Sequence, residues 1–421
     1  MINFNTCGNH LKRRILKFAE RISNGFTKPE RKFIADMVFG IIAANSCKLT
    51  EIGRALKEDI SLKKTVDRLR RNLANFFQIE KLMKNYLPVV RNNFGPDTML
   101  LVDGGDVTKS CSPKMEAIGT VYDGSTGEYG DDYWTMGVVA LTDENSQPIP
   151  VYEKLYPCKK QGGDGSKVET ANALQYLREN FDSSIPRVFD RGFDSGDLIE
   201  ELIANNEKFI LRVNQNRVAV HNGKRTKIDD IVRGLVCKHE MTFHSKSGNI
   251  SKCKIGMTQI TLPNMGNLKV NLVVCKEWGE KPLVLYTNMD EKVESLAVRV
   301  VKAYLMRWRI EELYAFKKQG LHFEDFRVRS LKSIQALDIL LTVAIGFIGT
   351  LCEKANAEIL VAELIYASKR IQKHSVFLKK TKFYYYAILD GINCVLAYLR
   401  YGISHHFESK TISYQPCLPF V

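Results

Sequence analysis

The chain lacks the marks of an exported or membrane-spanning protein. Its ten cysteines, at 7, 47, 111, 158, 237, 253, 275, 352, 394 and 417, form no Cys-x-x-Cys pair. Met1 to Arg14 has no long apolar run ahead of its basic cluster, so it does not read as a signal peptide. Reduced thiols in a cytosolic protein are therefore expected. The tightest set of soft ligands is Cys237, His239, His244 and Cys253. Its spacing fits no common zinc template, and no zinc is expected there. The longest apolar run, about Ile339 to Cys352, carries Thr and Gly and is too short to span a bilayer. It reads as a buried helix. Internal repeats, low-complexity tracts and Ser-His-Asp or Cys-His nucleophile patterns are absent as well.

What is present is positive charge, unevenly placed. The formal net charge is +14 over 421 residues. Residues 1–95 hold 19 Lys and Arg against 8 Asp and Glu, so most of the excess sits in the first quarter. A polyanionic partner follows, because each neutralised phosphate releases counterions. The apolar fraction of 45% is ample for buried cores, and the length suggests two to three domains.

Residues 1–95 read as a helical DNA-binding domain. Helices are expected over Leu11–Ser23 and Pro29–Asn45, then a short pair after Thr50 and after Ser61. The second of the pair carries Leu62, Val66, Leu69 and Leu73 on one side, and Lys63, Lys64, Arg68, Arg70, Arg71 and Asn72 on the others. A tight helix pair with a basic second member resembles a helix-turn-helix, making Lys63, Arg68 and Arg71 candidate DNA contacts. From Gly95-Pro96 the pattern changes to strands alternating with helices, an α/β core over 96–214. Residues 215–290 are mostly strands and read as a β-rich insertion. Residues 291–350 return to the core, and 351–421 form a C-terminal helical region.

The densest pattern lies at 304–318. Tyr304, Arg307, Glu311 and Lys318 stand at offsets 0, 3, 7 and 14, within an arc of roughly 60° on one continuous helix. Ile310, Leu313 and Phe316 fall on the other side as a buried stripe. One face then presents a carboxylate among two cations and a phenol, which suits a phosphodiester and a metal ion. Glu312 lies about 100° off that face.

Two further carboxylates end apolar strands: Asp103 in Leu-Leu-Val-Asp-Gly-Gly-Asp, and Asp190 in Val-Phe-Asp-Arg-Gly-Phe-Asp. Asp106, after two glycines, reads as a turn residue. With Glu311, Asp103 and Asp190 make an oxygen-donor set suited to hard divalent ions and two-metal phosphoryl transfer. Trp278 is a candidate for stacking on a flipped base. Arg191 and Lys109 are weaker candidates for DNA contact.

These residues resemble the DDE transposases of the insertion-sequence-4 group, whose signature is Tyr, two residues, Arg, three residues, Glu, six residues, Lys. Tyr304, Arg307, Glu311 and Lys318 fill all four places, and the motifs at Asp103 and Asp190 look like the other two acidic motifs. Phe326-Arg-Val-Arg-Ser-Leu also has the family's look. The resemblance covers roughly residues 40–350. Gly105 departs from the Thr or Ser often found two residues after the first Asp. The resemblance implies an RNase H-like core, a mixed sheet flanked by helices. It implies cut-and-paste transposition by hydrolysis and strand transfer through a hairpin intermediate. Asp103, Asp190 and Glu311 would be the catalytic carboxylates holding two Mg²⁺ ions, with Mn²⁺ able to substitute. Tyr304, Arg307 and Lys318 would grip phosphates at the transposon end. Partners would be double-stranded DNA, both terminal inverted repeats and target, and a second copy in a synaptic dimer, with no membrane. The location would be the bacterial cytoplasm, at the nucleoid. The rival reading is a DNA-binding regulator of transposition that has lost catalysis, and a third is an RNase H-like nuclease without strand transfer.

Overall fold

The computed structural model describes residues 3–109, 112, 114–123, 128–143, 145–158, 161–244, 250–263, 265–277, 279–290, 296–353, 358–368 and 383–403. Trp278 lies outside them.

Five helices come first: α1 (Phe4–Ile22), α2 (Lys28–Ala44), α3 (Leu49–Leu56), α4 (Leu62–Ala74) and α5 (Ile79–Arg91). At the start of α2, the Thr27 backbone N–H and hydroxyl both donate to Glu30 (2.9 and 2.8 Å), and Pro29 occupies the first turn, where no N–H is missed. α2 is buried along most of its length and packs on α1, α3, α4, and on two later helices.

Strands β1 (Met99–Thr108), β2 (Gly119–Asp123), β3 (Glu128–Leu141), β4 (Ile149–Tyr156), β5 (Arg187–Phe189) and β6 (Phe209–Arg212) follow, with α6 (Ser166–Asn180) and α7 (Gly196–Ala204) between them. Leu100, Leu101 and Val102 are all fully buried, as a central strand covered on both faces requires. There β1 runs parallel to β5, and β5 parallel to β6. Every other pairing is antiparallel, so the sheet is mixed.

The strand-rich stretch does not form a sheet of its own. β7 (Val218–His221), β8 (Lys224–Lys227), β9 (His239–His244), β10 (Ile250–Leu262), β11 (Leu268–Lys276) and β12 (Leu283–Thr287), with α8 (Ile228–Gly234), extend the core sheet through β12 against β6. The result is one twelve-stranded sheet in the order β2-β3-β1-β5-β6-β12-β11-β10-β7-β8, with β4 on β3 and β9 on β10.

The chain closes with α9 (Leu296–Met306), α10 (Trp308–Ala315), α11 (Leu331–Cys352), α12 (Ile359–Ala367) and α13 (Tyr385–Ala397). α9 packs on β5, β6, β10 and β11. α11 is long and apolar enough to cross a membrane, but it is buried, packed on β4, α2, α5 and α13. The N-terminal helices thus share one core with the sheet, and the fully buried Tyr86 of α5 donates its hydroxyl to the Pro150 carbonyl on β4 at 2.7 Å.

Candidate active site

The parallel register of β1 and β5 brings two carboxylates together. Val102 pairs with Phe189, so Asp103 and Asp190 are the next residue on each of two neighbouring strands. Strand spacing puts their backbones about 5 Å apart. Asp190 follows its strand directly and opens a 3₁₀ turn, Arg191–Phe193. Asp103 does not end a strand, contrary to expectation: β1 continues through Gly104-Gly105-Asp106 to Thr108, because β3 pairs with it along its whole length. Gly105 serves close packing instead of a turn. A Cβ on Gly105 would stand 2.8 Å from the Thr135 hydroxyl on the paired strand. The hydroxyl missing from this motif in β1 is thus present beside it on β3.

The stretch 304–318 also departs from expectation, since it is not one regular helix. α9 ends at Met306, and tighter i→i−3 bonds flank Arg307, from its N–H to the Tyr304 carbonyl and from the Ile310 N–H to the Arg307 carbonyl. After α10 comes a π turn, Phe316–Gly320, closed by the Leu321 N–H on the Phe316 carbonyl at 3.2 Å. Despite both irregularities, Tyr304 reaches Asp190, Arg307 reaches Asp103 and Glu311, and Lys318 reaches Asp106 on β1. Ile310, Leu313 and Phe316 are buried beneath it.

Arg307 is the hub. It donates to Asp103 Oδ2 at 2.8 Å and to Glu311 Oε1. One turn earlier, Tyr304 donates its hydroxyl to Asp190 Oδ1 at 3.1 Å. Asp103, Asp190 and Glu311 therefore converge on two neighbouring side chains of one helical segment. Glu312 points elsewhere, to Arg309 at 2.8 Å. Burial pushes the Asp103 carboxyl up to about 6; Arg307 opposes this, and the charges of Asp190 and Glu311 add to it. Burial works against the charge on Arg307, but Asp103 and Asp190 outweigh it and its pKa rises further. Burial and the Asp190 charge likewise raise Tyr304.

Lys318 stands farther along β1, 2.8 Å from Asp106 Oδ2 and 3.0 Å from Glu324 Oε1. Burial alone would lower its pKa, but these two carboxylates raise it. Asp106 is therefore a strand residue holding Lys318, not a turn residue. Glu324 was not foreseen, and no sequence pattern marks it. Lys109 is no free cation either: it is buried, donating to the carbonyls of Glu324 (2.5 Å) and Phe326 (2.9 Å). Tyr314 was missed too. Its hydroxyl donates to the Asp103 carbonyl at 3.0 Å, in space left by Gly137, the cross-strand partner of Asp103. Behind the cleft, Lys317 is buried between Glu153 (2.8 Å) and Asp338 (2.5 Å).

The oxygen donors are of the type hard divalent ions take. Among the described residues, however, no three carboxylate, His or Cys side chains are grouped closely enough to hold an ion, neither in the cleft nor at Cys237, His239 and Cys253. In the cleft the guanidinium of Arg307 supplies the positive charge between Asp103 and Glu311.

On α4, Lys63, Lys64, Arg70 and Arg71 are exposed. Arg68 is not turned outward as a DNA contact would be. It is bound to Asp36 (2.6 Å) and Glu58 (2.7 Å), and Asp36 is fully buried.

Residues 126–347, just over half the chain, match the family model described as Transposase DDE domain. The matched span contains Asp190 and Glu311 and begins after Asp103. The chain also resembles a cryo-EM structure of a piggyBac transposase synaptic complex with hairpin DNA. Identity is 11% and the TM-score 0.46, over 99% of this chain and 83% of that one.

Proposed function

The chain belongs to the transposase DDE-domain family, and from that premise we propose that it is a metal-dependent DNA transposase of the insertion-sequence-4 type, working on an RNase H-like core by cut-and-paste transposition in the bacterial cytoplasm. One observation carries the reading. Asp103 and Glu311, from distant parts of the chain, share the guanidinium of Arg307, while Asp190 lies beside Asp103 and on Tyr304.

In this reading Asp103, Asp190 and Glu311 would hold two Mg²⁺ ions, or Mn²⁺ in their place, only once the Arg307 guanidinium leaves its place between Asp103 and Glu311. Ions held there would activate the attacking oxygen and stabilise the leaving one. Arg307 neutralises the carboxylates when the cleft is empty and offers its planar donors to a phosphate when DNA enters. Lys318, kept charged by Asp106 and Glu324, supplies a second cation for the DNA end. Tyr304 orients Asp190. Lys63 and Arg71, with Lys64 and Arg70, give α4 a cationic surface for duplex backbone, and a second copy pairs the two ends. The segments 1–95, 96–214, 215–290, 291–350 and 351–421 divide these tasks along the chain.

The test uses the DNA flanking the gene, with its inverted ends. Glu311→Gln is expected to abolish end cleavage in Mg²⁺ while changing DNA affinity less than about threefold, a shift under 1 kcal/mol. Normal cleavage by this variant would refute the assignment. DNA retention by the wild type with no nicking across a Mg²⁺ and Mn²⁺ titration would favour the regulator. Nicking without joining to a target plasmid would favour a simple nuclease.

A further inference from the structure

Away from the cleft, α1 borders a groove of about 1080 Å³ formed with the end of α5, the last turns of α11 and the start of α12. His10, Arg13, Lys17 and Arg21 line it from α1. At 100° per residue these four fall within an arc of about 80° and extend about 16 Å along the helix. All four are exposed. The buried side of the same helix carries Leu11, Ile15, Ala19 and Ile22, so packing fixes which way the cations face.

The groove's charge balance is one-sided. Among the described residues, Arg13, Arg14, Lys17 and Arg21 line it against a single carboxylate, Glu358, and Arg14 already pairs with that. Glu20, beside the stripe, pairs with Arg31 at 3.5 Å. Arg13, Lys17 and Arg21 form no ion pair with any described residue. Asn92 and Asn93 add amide groups at the rim.

This groove is not part of the α4 surface: its lining comes from α1, α5, α11, α12 and the residues next to them, and includes none of Lys63, Lys64, Arg70 and Arg71. Nor is it part of the catalytic cleft. α11 touches the buried base of the cleft at Asp338 and the groove at Phe347 and Thr350, about 14–18 Å farther along its axis.

We propose that the α1 groove binds the phosphate backbone of duplex DNA, as a second surface independent of α4 and of the catalytic centre. The proposal rests on the reading that the protein acts on DNA. A row of unpaired cations with helical spacing suits a run of phosphates, and flanking amides are common backbone donors. An acidic protein partner is the competing occupant.

The experiment uses the full chain carrying Arg13→Gln, Lys17→Gln and Arg21→Gln together, with Lys63→Gln/Arg71→Gln as a comparison. Binding of a labelled duplex is followed by anisotropy from low to moderate salt. Loss of three phosphate contacts should lower the slope of log K against log salt by about 2.7. The α4 variant should lower it separately, and the combined variant by the sum of the two. An unchanged thermal midpoint, expected for exposed positions, shows that the fold is intact. A slope equal to the wild type's overturns the proposal. So does unchanged DNA binding with lost binding of a polyglutamate probe, which assigns the groove to an acidic protein. If the wild type binds no duplex, the DNA reading itself fails and the groove proposal with it. If the wild type binds and the triple variant matches it, only the groove proposal fails.

Discussion

Arg68 and Lys63 lie on the same short helix and look alike in sequence, yet the structure uses them differently. Arg68 reaches the buried carboxylate of Asp36, whose pKa burial raises and whose charge Lys32 and Arg68 stabilise. Removing one partner of a buried pair leaves an uncompensated charge. Arg68→Ala is therefore expected to cost about 2–3 kcal/mol in urea denaturation, the remaining Lys32 limiting the loss. Lys63→Ala should change stability by less than about 0.5 kcal/mol and weaken DNA binding instead. Equal stability losses in the two variants would contradict this division. The basic character of α4 was legible from its residues alone. That one of its arginines is drawn inward was not, because Asp36 precedes it by 32 positions and its burial depends on tertiary packing. Asp103, Asp190 and Glu311 could be named from the sequence because their motifs resemble those of a known family; an apolar run before each Asp and the helical spacing around Glu311 only drew attention to them. Glu324 and Tyr314 could not, since their roles arise only from contacts across the fold.

The segment from α9 to the π turn shows how far periodicity carries at the level of an element. Helical spacing grouped Tyr304, Arg307, Glu311 and Lys318, and although the regular helix that justified the grouping is interrupted twice, Tyr304 reaches Asp190, Arg307 joins Asp103 to Glu311 and Lys318 reaches Asp106. The interruptions have no clear mark in local sequence, apart from Gly320, where a Cβ would strike the Phe316 ring. The end of the segment is anchored by Lys317 between Glu153 and Asp338. Burial raises the Glu153 carboxyl, Lys317 opposes this and Asp338 adds to it, leaving it at about 7. A carboxyl with a raised folded pKa binds protons that the unfolded chain has released. Its contribution to stability is therefore full below about pH 4.5 and is lost as pH rises towards 7. Lys317→Met removes the shared counter-charge and should destabilise by about 3–5 kcal/mol at pH 8. The deficit should be smaller at pH 5, where the carboxyl is protonated. Denaturation curves at the two pH values test this, and a deficit that grows towards acid would show the sign to be wrong. The extent of β1, which carries both Asp103 and Asp106 inside the strand, has a packing cause. Gly104-Gly105 after an apolar run reads as a turn, but β3 pairs along all of β1, and Gly105 leaves room for the Thr135 hydroxyl as Gly137 does for Tyr314.

At the scale of the molecule, composition gave the class and the charge gradient, the alternation of strands and helices gave an α/β core, and the family resemblance implied a mixed sheet flanked by helices. Composition breaks suggested segments, but not how they share a core. α2 and α5 pack on α11, which packs on β4, so residues 1–95 cover apolar surface that belongs to the sheet side. Deleting residues 1–95 would expose α11 and remove Tyr86 from Pro150. We expect the truncated chain to be insoluble or to lose cooperative unfolding, while the full chain melts in a single transition followed equally by circular dichroism and tryptophan fluorescence. A soluble truncated chain with a sharp transition would show that the first segment folds apart from the rest.

The register of β1 against β5 has a consequence for how the site can fail. Asp103 and Asp190 are neighbours because backbone hydrogen bonds in the centre of the sheet make them so, and a slip of one residue would turn either side chain to the opposite face. Their pairing therefore cannot loosen gradually. It persists while the central strands hold and disappears when they part, so a ligand held between the two carboxylates is bound only by the folded protein. Such a ligand would raise the melting temperature of the whole chain as its concentration rises, and its dissociation constant could be read from that rise with no DNA present.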